Sequence, residues 1–372
     1  MKKVLFVATV VKTHINVFHL PYLKLLKQNG YETHVCARND FDEREECHIP
    51  FCDKYFDLPF ERSPFNYKNL LVYKKLSQII EEEDYDIIHC HTPMGGVLAR
   101  LSAIKNRKKG TRVIYTAHGF HFYRGAPIIN WLMYFPVEKF LAKYTDTIIT
   151  INMEDYKRVQ NFKTPDKQYL PGVGIDLNKY NTSIDKNNKR EELGISSEDL
   201  VLLSIGELSK RKNHEVIIRA LSKINDKKIT YIICGQGGLD MYLKDLALSL
   251  NVNVKFLGFR KDIPDICSAS DIFIFPSLQE GLPVALMEAM AAGLPVICSN
   301  IRGNIDLIKQ DRGGYLVESD NVDGFQTSII KLTDDATLRR NMGNYNVEEA
   351  KKYDKQIILN QMKKIYHISP FK

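Results

Sequence analysis

The sequence lacks the cysteine patterns of a disulfide framework or of a zinc finger. Its seven cysteines are scattered over 372 residues, their number is odd, and no CxxC pair is present. Cys36, Cys90, Cys234 and Cys298 lie in or beside apolar runs, which favours reduced thiols packed in a core. Reduced thiols are typical of a reducing cytosol, so we expect a cytoplasmic protein.

Long apolar runs are also missing. No uninterrupted run reaches the roughly 18 residues that indicate a membrane-spanning helix. The apolar residues 4–10 follow two lysines, as the core of a signal peptide would, but no small-residue cleavage site comes after them. We interpret this segment as a first buried strand and expect neither a membrane span nor a signal peptide.

Glycine is absent from the start of the chain. The predicted first strand leads into Val10, Val11 and Lys12, and no glycine occurs before Gly30. A dinucleotide-dependent oxidoreductase would have the pattern Gly-x-Gly-x-x-Gly directly after this strand, because its glycines let the backbone approach the pyrophosphate. The absence weighs against that class of enzyme.

Acidic residues are fewer than basic residues, and most of this difference lies in the first half of the chain. The formal net charge is +7; residues 1–168 contain 25 lysines and arginines against 19 acidic residues, and residues 169–372 contain 27 against 26. Neither aromatic–basic interleaving nor a nucleic-acid motif accompanies this excess, so nucleic acid is not expected as a partner. An anionic membrane surface or a phosphate-bearing acceptor is favoured instead.

What the sequence does contain is an alternation of short apolar segments and longer amphipathic ones, which favours βαβ units with parallel sheets. In the first half, strands are predicted at residues 4–10, 33–37, 86–91, 112–117 and 147–151, and a helix at 67–83. In the second half, strands are predicted at residues 200–205, 229–234, 254–257, 272–275, 296–299 and 314–317. Helices are predicted there at about residues 213–225, 239–250, 284–292 and 322–333, with a last helix at about 345–367.

A polar stretch interrupts this alternation after Leu170 and continues to Asn188 without core residues. Such a stretch predicts a domain boundary. We expect an N-terminal α/β domain of residues 1–168 and a C-terminal α/β domain of residues 169–345. Residues 346–372 are expected to form a final helix that crosses back to the N-terminal domain.

The strongest local signal is a pair of glutamates around a predicted helix start. Glu280 precedes Gly281, Leu282 and Pro283, and Glu288 follows inside the helix. Pro283 fits the first helical position, Gly281 allows close approach of a ligand, and free amides at a helix start favour phosphate. Two carboxylates would oppose phosphate, so we predict that they accept hydrogen bonds from sugar or ribose hydroxyls. The alternative is a solvated loop residue and a buried, paired carboxylate.

The Glu-x7-Glu spacing, followed by Ala291, Ala292 and Gly293, resembles the retaining family-4 glycosyltransferases of GT-B fold. Further segments agree with this family in the same order, namely residues 172–176, 206–208 with 210–213, 235–238 and 256–260. The resemblance covers nearly the whole chain. It implies two Rossmann-like doubly wound domains facing an interdomain cleft, with the acceptor on the N-terminal domain and a nucleotide-sugar donor on the C-terminal domain.

The resemblance also implies a donor site. Glu288 would bind the ribose, Glu280 and the backbone of residues 281–283 would hold the sugar and the diphosphate, and Lys212 would neutralise the diphosphate. The implied donor-binding residues are Gly206, Lys212, Gly235, Gly258, Phe259, Arg260, Glu280, Gly281, Leu282, Pro283, Val284 and Glu288. Glu207 stands where the family usually has an arginine, so Lys210 or Arg211 would supply the second cation.

Candidate residues for the acceptor and for catalysis lie at predicted strand ends of the first half. The resemblance makes His118 a contact of the transferred sugar and a catalytic residue together with Glu280 and Lys212. The acceptor-binding candidates are His14, in the loop after the first strand, His91, Tyr123 and Arg124. From the residues alone, a histidine at a strand end is structural about as often as it is functional.

Neither a metal nor a cofactor is expected. His89 and His91 form an i, i+2 pair that suits a metal, but the sequence shows no third ligand. Two Asp-x-Asp matches, residues 40–42 and 84–86, resemble a motif of metal-dependent transferases of another fold. We interpret residues 84–86 as a solvated helix end, because they follow a run of glutamates.

Aromatic residues concentrate in residues 120–140, and four of the five residues 105–109 are basic. This combination suits a lipid-linked acceptor at a membrane surface, which would place the protein peripherally on the inner face of the cell membrane. In the alternative interpretation, Ile128, Leu132, Phe135 and Leu141 simply cover the sheet.

The implied function is retaining transfer of a hexosyl or N-acetylhexosaminyl group from a nucleotide sugar, expected to be UDP-linked, to a glycan or an undecaprenyl-diphosphate-linked glycan. The expected setting is bacterial capsule or exopolysaccharide synthesis. No protein nucleophile is evident, so we expect a front-face attack in which the leaving phosphate accepts the proton. Two alternatives stay open, a nucleotide-sugar epimerase of GT-B fold and a non-catalytic nucleotide-sugar binding protein.

Overall fold

The computed structural model describes residues 1–42, 45–180, 185–224 and 228–368. They form two compact units, one of Met1–Val173 with Gln356–Lys372 and one of Gly174–Lys355. Part of the predicted polar stretch (residues 181–184), the end of one predicted helix (residue 225) and residues 369–372 lie outside this described part. The first unit extends past the predicted boundary at residue 168, because a strand at Asp166–Tyr169 still belongs to its sheet.

The first unit is built on a seven-stranded parallel sheet. Its strands are β1 (Lys2–Val10), β2 (Tyr31–Arg38), β3 (Lys54–Asp57), β4 (Ile87–His91), β5 (Arg112–Ala117), β6 (Thr147–Thr150) and β7 (Asp166–Tyr169). They are arranged in the order β3-β2-β1-β4-β5-β6-β7. The five strands predicted for the first half are present. The prediction omits β3 and β7, because edge strands that are short and half exposed contain polar residues and give no apolar run.

Helices pack against both faces of this sheet. They are α1 (Leu20–Gln28), α2 (Lys68–Glu83), α3 (Pro93–Ser102), α4 (Ile104–Arg107), α5 (Ile128–Leu141) and α6 (Met153–Val159). The helix predicted at residues 67–83 is confirmed as α2, whose Val72, Leu76 and Ile80 are fully buried. The loop expected after β1 is instead a π-helix, Val11–His19, which leads directly into α1.

The second unit contains a six-stranded parallel sheet, and all six strands predicted for it are present. They are β8 (Leu200–Ile205), β9 (Ile229–Cys234), β10 (Val254–Gly258), β11 (Ile272–Phe275), β12 (Val296–Ser299) and β13 (Gly314–Val317), in the order β10-β9-β8-β11-β12-β13. Its helices are α7 (Lys186–Glu192), α8 (His214–Leu221), α9 (Asp240–Ser249), α10 (Ile263–Ala269), α11 (Val284–Ala291), α12 (Asn304–Leu307), α13 (Val322–Asp334) and α14 (Ala336–Ala350).

The single last helix predicted at residues 345–367 is wrong. The structure has two helices there, α14 and then α15 (Lys355–Ile365). The break between them arises because Ile175 donates its amide to the Tyr353 carbonyl and accepts the Lys355 amide, which takes the backbone out of the helix. After this break the chain returns to the first unit, where Ile358 and Met362 are fully buried in its core.

Both sheets reverse their strand order beside the first strand of the unit, at β1 and at β8. This doubly wound order is that of Rossmann-like domains, which bind ligands beyond the carboxyl ends of their strands. The expectation of two Rossmann-like α/β domains is thus confirmed for each unit. No helix in the described part of the chain is long and apolar enough to cross a membrane.

Candidate functional site

Backbone hydrogen bonds join the loops at the carboxyl ends of β8, β9 and β10. The Gly206 amide donates to the Cys234 carbonyl at 2.9 Å, and the Gly235 amide donates to the Gly258 carbonyl at 2.8 Å. A Cβ atom on Gly235 would lie only 1.8 Å from the Gly206 oxygen, so this approach requires glycine. The predicted donor residues Gly206, Gly235 and Gly258 therefore lie close together at this edge of the sheet.

The loop after β8 is also fastened to β11. Asn213, whose φ is +55°, donates from Nδ2 to the Pro276 carbonyl at 3.2 Å and to the Ser319 carbonyl at 2.8 Å. The Leu278 amide donates to the Arg211 carbonyl at 2.8 Å. These bonds fix the backbone around Lys212 against the segment that carries Glu280.

Three cationic side chains meet at Glu280. Lys212 Nζ lies 2.8 Å and Arg211 Nη1 lies 3.0 Å from Glu280 Oε1, while Arg302 Nε donates to the Glu280 backbone carbonyl at 3.2 Å. Lys212 Nζ also lies 4.4 Å from the centre of the Phe275 ring. Burial lowers the pKa of Lys212, and the Glu280 carboxylate opposes this shift. The excess of positive charge suits an anionic ligand such as a diphosphate.

The two candidates for a second cation differ in their contacts. Glu207, which replaces the arginine usual in the family that the sequence resembles, has an exposed side chain. Arg211 and Lys210 are both exposed, but Arg211 forms an ion pair with Glu280 beside Lys212. Arg302 lies outside every residue set that the sequence predicted. It follows β12, outside every segment that carries the resemblance, so no sequence signal pointed to it.

Helix α11 begins at Val284, as the predicted helix at residues 284–292 does, but Pro283 is not its first helical residue. Pro283 is the N-cap with extended backbone (φ −77°, ψ 121°), and Val284 is the first helical residue, so the placement of Pro283 inside the helix is wrong. The Pro283 side chain accepts no hydrogen bond from the first turn, because proline has no acceptor there, and this leaves those amides free for a ligand. Gly281 packs closely on Gly303, where a Cβ atom would lie 2.4 Å from the Gly281 oxygen. Leu282 is buried and helps to seat the turn.

The second glutamate lies in a cavity of its own. Glu288 accepts a hydrogen bond from the Tyr180 hydroxyl, and burial raises the pKa of its carboxyl group. The cavity has a volume of about 510 Å³, and its lining residues are Lys179, Tyr180, Lys261, Asp262, Ile263, Pro264, Asp265 and Glu288. Residues 261–265, which follow β10, thus line the same cavity as Glu288. Tyr180 was missed by the sequence prediction, and its only signal is its position shortly after residues 172–176.

Two predicted donor residues have other surroundings. Phe259 is mostly exposed and, like Arg260, is not among the described residues that line this cavity. Arg260 holds Asp262 with two hydrogen bonds of 2.8 and 2.6 Å and reaches Glu192 at 3.3 Å. Its guanidinium group therefore stabilises the loop after β10.

In the first unit, four histidines from three elements meet at the carboxyl ends of the strands. His14 and His19 lie on the π-helix, His91 ends β4, and His118 follows β5. The Nε2 atoms of His14 and His19 are 3.2 Å apart, and His118 Nε2 lies 3.5 Å from His91 Nδ1. We refer to these four residues as the histidine cluster.

This cluster overturns one argument from the sequence. His91 has three further histidines beside it, so the statement that no third metal ligand accompanies it is wrong. His89 serves a different purpose, because its Nδ1 lies 2.7 Å from the Tyr366 hydroxyl and its Nε2 lies 2.8 Å from Thr116 Oγ1. Burial lowers the pKa of His89 to about 3 and that of His118 to about 4. Both rings are therefore neutral at pH 7.

A large apolar cavity, here named the apolar groove, starts beside the histidine cluster. Its volume is about 960 Å³, and it runs between α2, α3 and α5. Its polar lining includes Thr9, Thr13, His14, Arg62, Asn66, Asn69, Thr92, His121 and Glu138, and its apolar lining includes Val10, Pro64, Phe65, Leu70, Tyr73, Pro93, Met94, Val97, Leu98, Leu101, Met133 and Val137. Phe65, Leu70, Tyr73 and Val137 are exposed to solvent as well. The groove is thus polar at the end beside the histidine cluster, and elsewhere it opens onto an apolar part of the protein surface.

The alternative that α5 simply covers the sheet is only half right. Leu141 is buried and Phe135 packs on the core, but Ile128 is 77% exposed and Leu132 is 68% exposed. The predicted acceptor residues Tyr123 and Arg124 are not among the described residues that line the groove. The Arg124 amide instead donates to Glu154 Oε1 at 2.8 Å.

Comparison with known families agrees with the two units. The family described as glycosyl transferases group 1 matches residues 185–349, and the family described as glycosyltransferase family 4 matches residues 22–179. The chain is 38% identical to a protein of Bacillus subtilis (strain 168) named as the glycosyltransferase EpsD, over 98% of this chain and 96% of that protein.

A second relative comes from Escherichia coli and is named UDP-Gal:alpha-D-GlcNAc-diphosphoundecaprenol alpha-1,3-galactosyltransferase. It is 34% identical over 71% of this chain and 70% of its own length. Among solved structures, HepE of Anabaena in complex with UDP and glucose superposes with a TM-score of 0.77 at 21% identity, covering 99% of this chain and 100% of that one. At this identity the likeness concerns the fold, and it agrees with a GT-B architecture.

Proposed function

This chain belongs to the family-4 glycosyltransferases of GT-B fold, and we propose that it transfers a hexosyl or N-acetylhexosaminyl group from a UDP sugar to an undecaprenyl-diphosphate-linked glycan. Retention of the anomeric configuration and a role in capsule or exopolysaccharide synthesis are part of this proposal. The relative of Escherichia coli supports it through its name, which specifies a UDP-linked donor and a diphosphoundecaprenol acceptor.

One observation carries the donor assignment, namely the position of the two glutamates on either side of the start of α11. Glu280 lies among Arg211, Lys212 and Arg302, where a diphosphate would find positive charge and the free amides of the helix. Glu288 lies one turn beyond Val284, which is about 6 Å along the helix axis. We place the ribose hydroxyls at Glu288 and the diphosphate and sugar near Glu280.

The uracil base then has a defined place in the proposal. The cavity around Glu288 is lined by Tyr180 and by residues 261–265. The Tyr180 hydroxyl donates a hydrogen bond to the Glu288 carboxylate, which orients this carboxylate before a ribose binds. A flat base stacked near this tyrosine would bury apolar surface without requiring a further charge.

The apolar groove supports a lipid-linked acceptor. At about 960 Å³ it is far larger than a sugar requires, and its lining is chiefly apolar. Arg62 is a cation beside the groove that suits a lipid diphosphate, while Thr92 and His14 lie at the end where the glycan would be held. We propose that the polyprenyl chain lies in the groove.

Peripheral membrane contact follows from the same surface. The exposed apolar residues of α2 and α5, among them Leu70, Ile128 and Leu132, lie on the same helices as exposed lysines such as Lys68 and Lys139. An apolar patch flanked by lysines binds an anionic bilayer through both burial and charge attraction. We propose that the first unit docks on the membrane in this way and extracts its acceptor there.

The proposed reaction needs no covalent intermediate. The acceptor hydroxyl attacks the anomeric carbon on the face that the diphosphate leaves, the bond from carbon to phosphate oxygen breaks, and that oxygen takes the hydroxyl proton. Lys212 stabilises the charge that develops on the leaving diphosphate. His118 is neutral, so we assign it a hydrogen bond to the transferred sugar. Neither a metal nor a cofactor is part of this proposal.

Transfer assays test the proposed function. The purified chain is incubated with a panel of UDP sugars and a synthetic short-chain polyprenyl-diphosphate-linked N-acetylglucosamine, with EDTA present throughout. We expect one donor to give a lengthened lipid-linked glycan, and we expect Glu280→Gln to lose transfer whereas Glu207→Gln, at an exposed position, keeps it. Consumption of UDP-N-acetylglucosamine without acceptor would indicate an epimerase instead. Binding without turnover of any donor would indicate a binding protein.

A second assay tests the groove. Leu70→Glu puts a charge on an exposed residue that lines it, so the KM for the lipid-linked acceptor should rise at least tenfold. The KM for the same glycan on a short water-soluble alkyl chain should change little. Leu248→Glu is the matched control, because Leu248 is also largely exposed but lies on α9 of the second unit. Equal effects of both variants on the lipid-linked acceptor would contradict the proposal.

A further inference from the structure

We propose that the histidine cluster is a binding site for one divalent transition-metal ion, with zinc as the expected ion. One nitrogen of each of His14, His19, His91 and His118 lies within 4.8 Å of the other three. Zinc binds imidazole nitrogen at about 2.0–2.1 Å, so the ligands of a tetrahedral site lie about 3.3–3.4 Å apart. The two pairs described above, at 3.2 and 3.5 Å, already have this separation.

Burial holds the inner half of the site in place. The side chains of His19 and His91 are almost fully buried, and their rings stack with centres 3.7 Å apart. His14 and His118 are half-buried and close the outer side. Two ligands are therefore fixed by the core, and the other two remain accessible to an ion that enters from solvent.

The hydrogen bonding of the cluster is incomplete in the described part of the chain. Nδ1 of His19 and Nε2 of His91 are buried and have no hydrogen-bond partner there. Buried polar atoms in a purely structural cluster are nearly always paired, as His89 is by Tyr366 and Thr116. The short contacts with His14 and His118 involve the opposite nitrogen of each ring, Nε2 of His19 and Nδ1 of His91. In the described residues neither ring has a hydrogen-bond partner outside the cluster, so both rings are available to an ion.

The local fold explains why these residues meet. Residues five apart face different sides of an α-helix, but they are neighbours in a π-helix, whose hydrogen bonds join residues i and i+5. The π-helix at Val11–His19 therefore puts His14 and His19 on one face. β4 and β5 are adjacent and parallel, so His91 and His118 reach the same edge of the sheet. π-helical turns occur frequently at functional sites.

The chemistry of the ligands selects the class of metal. Imidazole suits zinc, copper and nickel, whereas magnesium and calcium prefer oxygen ligands. Metal ligands must be unprotonated, and histidine is the common side chain that offers a neutral nitrogen ligand near pH 7. The cluster contains no carboxylate, and the Arg62 cation acts on His14. With this charge balance we expect a dissociation constant in the micromolar range rather than the much tighter binding of a structural zinc site.

An effect on sugar transfer follows if the proposed function holds. A metal ion would occupy nitrogen atoms of His118 and His14, which the proposed function assigns to the sugar and to the acceptor. Zinc is then expected to inhibit transfer, and EDTA is expected to restore it. The metal site itself does not depend on the proposed function, because it rests on the geometry of the four rings.

Metal titration tests the site directly. Protein without a histidine tag is treated with EDTA, dialysed, and titrated with Co²⁺ while the visible absorption of the ion is recorded; Zn²⁺ is then added in competition. We expect one Co²⁺ per chain with the intense absorption of tetrahedral coordination, displaced by one Zn²⁺ and unaffected by Mg²⁺. His14→Ala and His118→Asn should each weaken Zn²⁺ binding at least tenfold, whereas His48→Ala, at an exposed histidine, should not change it.

Three results would overturn the proposal. They are the absence of stoichiometric Co²⁺ and Zn²⁺ binding by the unmodified chain, an unchanged affinity in both His14→Ala and His118→Asn, and an equal loss in His48→Ala. Melting curves recorded in EDTA show whether each variant is folded, and His14→Ala at a half-buried position serves if His118→Asn unfolds. Transfer in EDTA is measured in parallel, so failure of the metal site and failure of the proposed function give different results.

Discussion

Replacing Lys212 by methionine removes one cation from the proposed diphosphate site while keeping most of the side-chain volume. Lys212 Nζ is 2.8 Å from Glu280, and its side chain is only 12% exposed, so water replaces it poorly. A hydrogen bond to a charged group contributes about 1.5–3 kcal/mol. Since about 1.4 kcal/mol corresponds to a factor of ten, we expect UDP to bind about 10- to 150-fold more weakly.

Calorimetric titration with UDP and with uridine measures this effect. The affinity for uridine should change less than threefold, because the nucleoside has no diphosphate to contact. Lys210→Met is the matched control. It removes the same charge from an exposed residue two positions before Lys212, and it should leave UDP binding nearly unchanged. Equal losses in the two variants, or an equal loss for uridine, would refute the assignment of Lys212 to the diphosphate.

Three further predictions concern packing and buried charge. Gly235→Ala places a methyl group 1.8 Å from a carbonyl oxygen and should lower the free energy of unfolding in urea by about 3 kcal/mol, whereas Gly238→Ala meets open space and should be nearly neutral. Arg100→Met leaves Glu138 buried without its cation and should cost about 3–5 kcal/mol in the same assay. Glu288→Gln should raise the melting temperature at pH 7 and weaken UDP binding, because burial penalises the charged carboxylate.

Each of these predictions has its own check. Combining Arg100→Met with Glu138→Met should recover part of the lost stability, because no unpaired buried charge then remains. For Glu288 the sign follows from a pKa that is raised in the folded chain. The protonated acid is favoured by folding, and that stability is lost as the pH rises through the folded pKa. The advantage of glutamine should therefore shrink as the pH falls toward the unfolded carboxyl range of about 4.3, and an advantage independent of pH would contradict it.

Much of the fold could be predicted because its strands are buried on both faces. β8, β9, β11 and β12 are nearly continuous apolar runs, which is the signal that a parallel sheet covered by helices produces. β3 and β7 lie at the sheet edge, where one side of the strand has no neighbour, and their polar residues resemble a loop. The division of the last segment into α14 and α15 depends on a backbone contact with Ile175, which no local pattern reveals.

The candidate site divides in the same way. Glu280, Glu288 and Lys212 belong to a recognisable order of segments, so the sequence predicted them together. Tyr180 and Arg302 belong to no recognisable sequence motif. They are identified as site residues only by their tertiary contacts with Glu288 and Glu280. The histidine cluster escaped prediction for a different reason. A loop or an α-helix after β1 would separate His14 from His19, and only the wider π-helical turn unites them.

The return of α15 to the first unit has a consequence for synthesis. The core that contains Leu23 and Leu26 is completed by Ile358 and Met362, which leave the ribosome after the whole second unit. Domains generally fold from the N-terminus as the chain emerges, but this one cannot close its core until the whole second unit has been translated. Part of its apolar core therefore stays uncovered while the second unit is being made.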